Sequence, residues 1–378
     1  MTLPLLDVAV VGGGPVGVYL GCLLAQAGLT FAVLEQREGP LVHSRAIGIH
    51  PRALHGFARI GLLDRLEEAG VKLRRGLLLG GSGVLGTLDF GPADPVYPYI
   101  LSLPQVQTER LLRARLAELA PGALQQAQVT RLDMGGAHCT LATSQGPVRA
   151  RYVVAADGLH SALRRQADIA FPGGLYPDCY LMGDFPDTTP FGTDAVISLT
   201  EAGVTECFPL PGGLRRWVVH TGNQLLEGAV PGQLTRIIQQ RTGLFVPAGE
   251  CQMLSAFTVR RHLARTMQRG RLCLVGDAAH VVSPIGGQGM NLGWLDADAL
   301  LPVLQRAVRG QAHAAEWQHW SAARRRAAWV AARQAEANMS AGRPTGRRRQ
   351  KGREQLLRGL LGPALSPALA QAFTMRWL

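Results

Sequence analysis

Gly12, Gly14 and Gly17 spell GxGxxG inside the run GGGPVG, and Glu35 stands 18 residues beyond the last of them. These residue types suit one task. A glycine at the first position allows a tight turn, one at the second lets backbone approach a pyrophosphate, and one at the third lets helix and strand pack closely. A helix N-terminus then faces the phosphate, and an acid at the distance of Glu35 accepts hydrogen bonds from ribose hydroxyls. Pro15, Val16 and Gln36 belong to the same expected contact. The flanking residues supply the required elements. DVAVV at 7–11 reads as a strand buried on both faces. VYLGCLLAQAG reads as a helix stopped at Gly28, and TFAVLEQ as a second strand ending at Glu35. The three make one βαβ unit, which does not by itself separate FAD from NAD.

Two later stretches carry related chemistry. Residues 271–296 read RLCLVGDAAHVVSPIGGQGMNLGWLD. Gly276 and Asp277 follow a buried strand, where an acid can reach a sugar or ribityl hydroxyl. The loop from Pro284 through Gly286, Gly287 and Gly289 leads into a helix starting near Met290 and Asn291. Bare glycine amides at a helix N-terminus make an anion site. The other stretch, YVVAADGLHSALRR, ends a strand in Asp157-Gly158, with Ser161 and Arg164 after it.

Together these motifs resemble the class A flavoprotein monooxygenases, the p-hydroxybenzoate hydroxylase-like aromatic hydroxylases. Gly276, Asp277, Pro284, Gly286, Gly289, Asn291, Gly293 and Asp296 match that family's second FAD fingerprint in order and spacing. Asp157 and Gly158 match its DG fingerprint. Two shorter matches are the Arg45 of His43-Ser44-Arg45-Ala46 and Gln105 before Glu109-Arg110-Leu111; both are implied FAD contacts, and Val129 is counted with them. The resemblance runs from about residue 5 to 335 and is architectural only between 175 and 267. It implies FAD as cofactor and NADH or NADPH as transient reductant. It further implies hydroxylation of an aromatic or similar electron-rich substrate by dioxygen through a flavin C4a-hydroperoxide. The chain ends without the thioredoxin-like domain of the larger phenol hydroxylase relatives, so a short member is expected. A flavin-dependent reductase on the same scaffold, or a flavin-binding protein without catalysis, are the alternatives.

In this reading Pro284, Gly287 and Gly289 form the loop at the reacting edge of the flavin, where amides and the helix dipole can stabilise negative charge. His280, in GDAAH, is expected to be structural. On the predicted strand RRWVVH, His220 and Arg216 are the substrate-pocket candidates. Neighbouring strand residues point to opposite faces, so at most one of Arg215 and Arg216 faces the pocket. Tyr180, Ser198 and Glu206 are weaker candidates of the same kind.

The rest of the chain must position these groups. The fold class expected is α/β, with a discontinuous Rossmann-like FAD-binding domain from residues 1–75, 98–173 and 268–340. A mainly antiparallel β substrate domain is expected from 76–97 and 174–267, where short β-rich runs alternate with Pro and Gly pairs. Helices are expected over 51–70 and over 108–119, the latter with Thr108 as its N-cap. The six cysteines form no CxxC pair and no zinc spacing, so no metal is expected. The N-terminus lacks a basic region before its apolar run, and no apolar run reaches the ~18 residues of a membrane span, so a cytoplasmic protein is expected. Of the net charge of +12, most sits after residue 320, where twelve Arg and Lys face two acids, Glu336 and Glu354. That asymmetry argues against a nucleic-acid enzyme, whose charge surrounds its site. The basic C-terminal segment, 341–378, is expected to be a solvated helix face with apolar residues closing over the FAD domain. A weak contact with an anionic membrane surface is the other reading.

Overall fold

A computed structural model of the chain describes residues 4–39, 46–81 and 83–376. Among them the protein is mixed α/β, built on two eight-stranded sheets and one three-stranded sheet.

In the first large sheet the strand Leu5–Val11 runs parallel to Phe31–Glu35 on one side and to Gly146–Ala155 on the other. Leu272–Leu274 adds in parallel beyond the latter, and Leu124–Gln126 beyond the former. The composition explains the layout. Short runs of Val, Ala and Leu without polar alternation must be covered on both faces, and Val8, Val10, Val33, Val153 and Leu274 are fully buried. Helix Pro15–Gln26 joins the first two strands. Val11, Glu35, Ala155 and Leu274 end four of these parallel strands. The three motif loops therefore leave the same edge of the sheet, the edge at which open parallel sheets bind ligands.

The second large sheet runs in the order His280–Val281, Met253–Leu263, Gly173–Pro186, Leu214–His220, Gly203–Leu210, Ala195–Thr200, Arg75–Gly80, Gly83–Asp89. Its one parallel pair joins Ala195–Thr200 to Arg75–Gly80. One face packs under helix Pro231–Thr242, where Leu234 and Ile238 meet Trp217 and Val219. The other face roofs the crevice of the first sheet. The strand His280–Val281 lies within a stretch read from sequence as part of the cofactor domain, yet it pairs at the edge of this roof. The Gly276-Asp277 segment is thus tied directly to both sheets.

Two helices differ from the sequence expectation. The pattern over 51–70 forms Pro51–Arg59 and Leu63–Ala69, separated where Gly61 takes φ +66°. The helix expected from Thr108 begins at Gln105, because Pro104 supplies the turn into it. Thr108 is buried inside that helix and caps nothing. The early start brings Gln105 to the crevice.

The basic C-terminal stretch forms helices Arg347–Leu360 and Ser366–Phe373. The first lies along the outer hairpin of the roof. The Gln350 amide donates to Leu199 O at 2.9 Å, Glu354 accepts from Gly81 N at 3.0 Å, and Leu361 fills the space left by Gly86. The apolar residues Leu357, Leu361, Leu369 and Phe373 face inward onto the central cavity, and Phe373 stacks on Phe90 at 5.9 Å. No helix among the described residues is long and apolar enough to cross a membrane.

Candidate functional site

The crevice and the roof enclose one continuous cavity of about 1470 Å³. A single small-molecule site is usually about 300–1,000 Å³, so this one has room for two organic molecules. At one end it is walled by Gly12, Gly14, Pro15, Val16 and Glu35. The glycines are there for contact reasons. A Cβ on Gly12, whose φ is +109°, would lie 2.3 Å from Ala156 O. A Cβ on Gly17 would lie 1.9 Å from Gly12 O. A Cβ on Gly14 would meet nothing within 4 Å, because it would stand in the cavity itself.

Glu35 is buried and fully engaged. The Gly13 amide donates to its Oε2 at 2.8 Å, the Arg37 amide to its Oε1 at 2.9 Å, and the Arg37 guanidinium pairs with it at 3.1 Å. Burial works to raise its carboxyl, but Arg37 and the two amides together hold it below the usual range. Beneath the loop, Arg113 donates to Gly13 O at 2.8 Å and pairs with the buried Glu109, which also lies 3.8 Å from Arg37. Sequence reading did not assign Arg37 or Arg113 to the site. The i,i+4 spacing of Glu109 and Arg113 was a signal for the pair, but nothing local placed it under the glycine loop.

Asp157 and Gly158 line the same cavity from the neighbouring strand end. Asp157 Oδ2 accepts from the Ala162 amide at 2.9 Å, whereas its buried Oδ1 has no partner. Burial raises this carboxyl above the ordinary aspartate range. Ser161 caps the helix Ala162–Gln166. Arg164 is held by Ala278 O and Leu159 O and lies over the Phe171 ring, so both residues build the turn. Gln36, Gln105 and Val129 line the cavity as well. Arg45, with His43 and Ser44, lies outside the described residues.

Gly276 and Asp277 come next. Asp277 is exposed, but only to the cavity, and the protein packed around that cavity raises its carboxyl by desolvation. Asp296 accounts for the placement of this turn. It is fully buried, accepts from the Gly276 amide at 3.1 Å, and pairs with His280 at 2.6 Å and Arg324 at 2.8 Å. Burial opposes its charge, but His280 and Arg324 hold its carboxyl low. Gly293 serves packing, since a Cβ there would lie 2.5 Å from Val16 and 3.1 Å from Gly276 Cα. Its absence lets helices Pro15–Gln26 and Gly289–Val308 converge. Neither helix is capped by a side chain at its N-terminus, so their first-turn amides are left for an anion.

Pro284, Gly287, Gly289 and Met290 line the cavity between the crevice and the roof. The Asn291 side chain turns away from it. Its Oδ1 accepts from the His50 amide at 2.8 Å, and its Nδ2 donates to Gly48 O and Gly287 O at 2.9 Å. Asn291 therefore fixes the loop, while its backbone belongs to the helix start. His50, unassigned from sequence, is buried against Gly286 and Gly287, and burial pushes its ring down to about 4.

On the roof, Arg216 and His220 separate. Arg216 lines the cavity and is held by Asp184 through two bonds of 2.7 Å. Arg215 points to the other face, toward Asp187. His220 shares the face of Arg216 but does not line the cavity. Four residues farther along the strand, the segment at Gly342 and Pro344 crosses over it. There His220 pairs with Asp178 at 3.1 Å, which in turn binds Arg343 at 2.7 Å. This corrects the reading of His220 as a pocket residue.

Glu206 is the carboxyl that faces the cavity from the roof. In register across the sheet, Leu78, Ile197, Glu206, Val218 and Met182 form one row, apolar except for the acid. Glu206 is 8% exposed, and burial raises it to about 7 from 4.5. A carboxyl raised on folding stabilises fully below its unfolded value and loses that contribution as pH rises through the folded one. Between pH 4.5 and about 7 it should therefore cost about 3 kcal/mol of stability. The variant Glu206→Leu should melt higher than the wild-type apoprotein at pH 8, with the gap closing at pH 4.5. Equal melting at both pH values would contradict this.

The dinucleotide fits these residues. The bare glycine loop, two uncapped helix starts, the unpartnered Asp157 oxygen and the open space above Gly14 are what an extended diphosphate ligand with sugar hydroxyls requires. Residues 5–335 match the FAD binding domain family. Over 320 residues the chain is 32% identical to an uncharacterized aromatic compound monooxygenase, YhjG, of Bacillus subtilis, covering 81% of this chain. Over 300 residues it is 33% identical to a rifampicin monooxygenase of Streptomyces venezuelae, covering 77%. The chain spans 62% of the length of each. The crystal structure of p-nitrophenol 4-monooxygenase PnpA from Pseudomonas putida superposes with a TM-score of 0.87 at 23% identity, covering 99% of this chain and 98% of that one. At that identity the likeness concerns the fold.

Proposed function

The chain belongs to the FAD binding domain family, and on that premise we propose that it is an FAD-dependent monooxygenase that hydroxylates an aromatic or similarly electron-rich organic substrate, with NADH or NADPH as reductant and dioxygen as oxygen source. One observation carries the reading. The cavity that begins at the glycine cradle continues past the Pro284–Met290 loop to an apolar roof, so a second organic molecule can lie against the reacting part of the cofactor.

When bound, FAD supplies the electron chemistry linking nicotinamide to dioxygen. Gly12, Gly14 and the first turn of Pro15–Gln26 would hold the diphosphate. Asp157 and Asp277 would hold its hydroxyls, and Glu35 would do so once the Arg37 guanidinium gives up its place on the carboxylate. The amides at the start of Gly289–Val308 would stabilise negative charge at the ring end. Val282, Ile285, Val218 and Phe257 line the cavity and would keep water from the reacting region. The motifs provide no second glycine cradle for the nicotinamide, so it would bind transiently in the shared cleft.

The test is oxidation of NADH and NADPH in air by the FAD-loaded protein against a panel of phenols, aromatic acids and quinol precursors. Oxidation rising at least about tenfold with one compound supports the reading. A flavin spectrum with no stimulation and no oxygen uptake for any compound would move the assignment to a reductase or a non-catalytic flavoprotein.

A further inference from the structure

We propose that Glu206 is the residue that receives the substrate, accepting the hydroxyl of an uncharged phenol or enol and taking its proton as the ring is oxygenated. This rests on the monooxygenase reading of the same cavity.

The geometry singles out this side chain. Glu206 is central in an apolar row of the roof, more than nine-tenths buried, and lines the cavity. Among the described residues it has neither a hydrogen-bond nor an ion-pair partner. Its carboxyl opens to the cavity, and an unpaired carboxyl in an apolar setting is costly, so a hydrogen-bond donor entering the cavity would find its acceptor here. The charged and titratable groups around it do not fill that place. Arg216, on the adjacent strand, is clamped by Asp184. The Tyr180 hydroxyl is packed within the roof, and burial pushes it up, with the charge of Glu206 adding to the effect. The long helix Ala314–Gly342 presents neutral Gln334 and Asn338 to the cavity, and His50 faces it from the loop side.

A carboxylate in this position selects a neutral donor and repels an anionic substrate, the opposite of what an unpaired arginine would do. Its chemistry balances. The π pair of a ring carbon conjugated to the hydroxyl forms the new C–O bond. The O–O pair of the oxygen donor, made from dioxygen with the two electrons of the nicotinamide, leaves with the other oxygen and ends in water. The substrate O–H proton passes to Glu206, leaving a carbonyl. The ring C–H proton is then lost, its electron pair restores aromaticity, and Glu206 returns its proton to the oxygen.

The experiment compares 2-naphthol, 2-methoxynaphthalene and 2-naphthoate on the FAD-loaded protein, read by the probes' own fluorescence, so that no turnover is needed. At pH 8 the wild type should bind 2-naphthol at least about tenfold tighter than the other two. Below pH 7, where a protonated Glu206 can also donate, the preference should shrink. Glu206→Leu should bind all three within about threefold. Glu206→Gln should retain part of the preference for the hydroxyl, and kcat for any hydroxylated compound should fall about 100-fold with little change in KM. Its pH profile should lose the limb near 7. An unchanged preference in Glu206→Leu, or none in the wild type, would overturn the proposal. A Glu206-dependent preference with no oxygen added to any compound supports the contact and counts against the monooxygenase reading alone.

Discussion

Gly17→Ala is expected to yield a protein that purifies without FAD and binds added FAD at least about 100-fold more weakly, a loss of about 2.8 kcal/mol. The added Cβ would lie 1.9 Å from Gly12 O and 3.3 Å from the Ala156 side chain. Neither neighbour is a flexible side-chain end. The helix start must therefore move away from the strand by more than 1 Å, roughly the overlap to be relieved. That movement displaces the loop whose amides hold the diphosphate. Gly14→Ala separates the two roles of the glycines. Its Cβ meets no protein atom within 4 Å, so the apoprotein should melt as the wild type does while FAD affinity still falls. Gly17→Ala should lower both. FAD titration by flavin fluorescence, with melting of the apoproteins, reads the two effects independently. Wild-type FAD affinity in Gly14→Ala would contradict the placement of the diphosphate.

Asp296→Ala is expected to destabilise the apoprotein by about 3–5 kcal/mol, the usual cost of leaving a buried charge without its partner. The Asp296 side chain is fully buried, Arg324 is 9% exposed, and His280 is buried beside them. The same change removes the acceptor of the Gly276 amide, so the Asp277 turn should loosen and FAD should dissociate faster. Arg306→Ala is the contrast. Arg306 pairs with Glu316 at the surface and is 53% exposed, and such pairs contribute about 0–1 kcal/mol. Melting of both variants without FAD, followed by FAD release rates, distinguishes them. A Tm for Asp296→Ala within about 2 °C of the wild type would show that the cluster is not a structural keystone.

The cofactor crevice was legible in the sequence because its determinants are local. A glycine turn after a buried strand, an acid at the end of the next strand and a glycine loop before a helix each declare their geometry within about 30 residues. The roles of Asn291 and Asp296 were not legible in that way. Both belong to the fingerprint, but their side chains face the protein, holding His50, Gly287 and Gly276 in place, and only the packing of distant segments shows this. The roof was harder still. Alternation correctly separated Arg215 from Arg216, because strand parity is local. It could not separate Arg216 from His220, which share a face, since the difference is made by the C-terminal segment crossing at Gly342 and Pro344. Nor could it single out Glu206 from Tyr180 and Ser198, since its row with Leu78, Ile197, Val218 and Met182 is set by sheet register and includes a strand more than 100 residues away, that of Leu78. The long basic tail read as solvated charge with apolar residues folded inward; Leu357, Leu360, Leu361, Leu369 and Phe373 do face the cavity, whereas Leu356 and Leu365 are exposed.

The most direct measurement is the fate of isotopically labelled dioxygen in single turnovers of the FAD-loaded protein with a compound that stimulates NAD(P)H oxidation. The account predicts one labelled oxygen atom in the product for each nicotinamide consumed, with the other atom in water. A protein that binds FAD and oxidises the nicotinamide yet leaves every compound unlabelled, releasing all its oxygen as hydrogen peroxide, would contradict it.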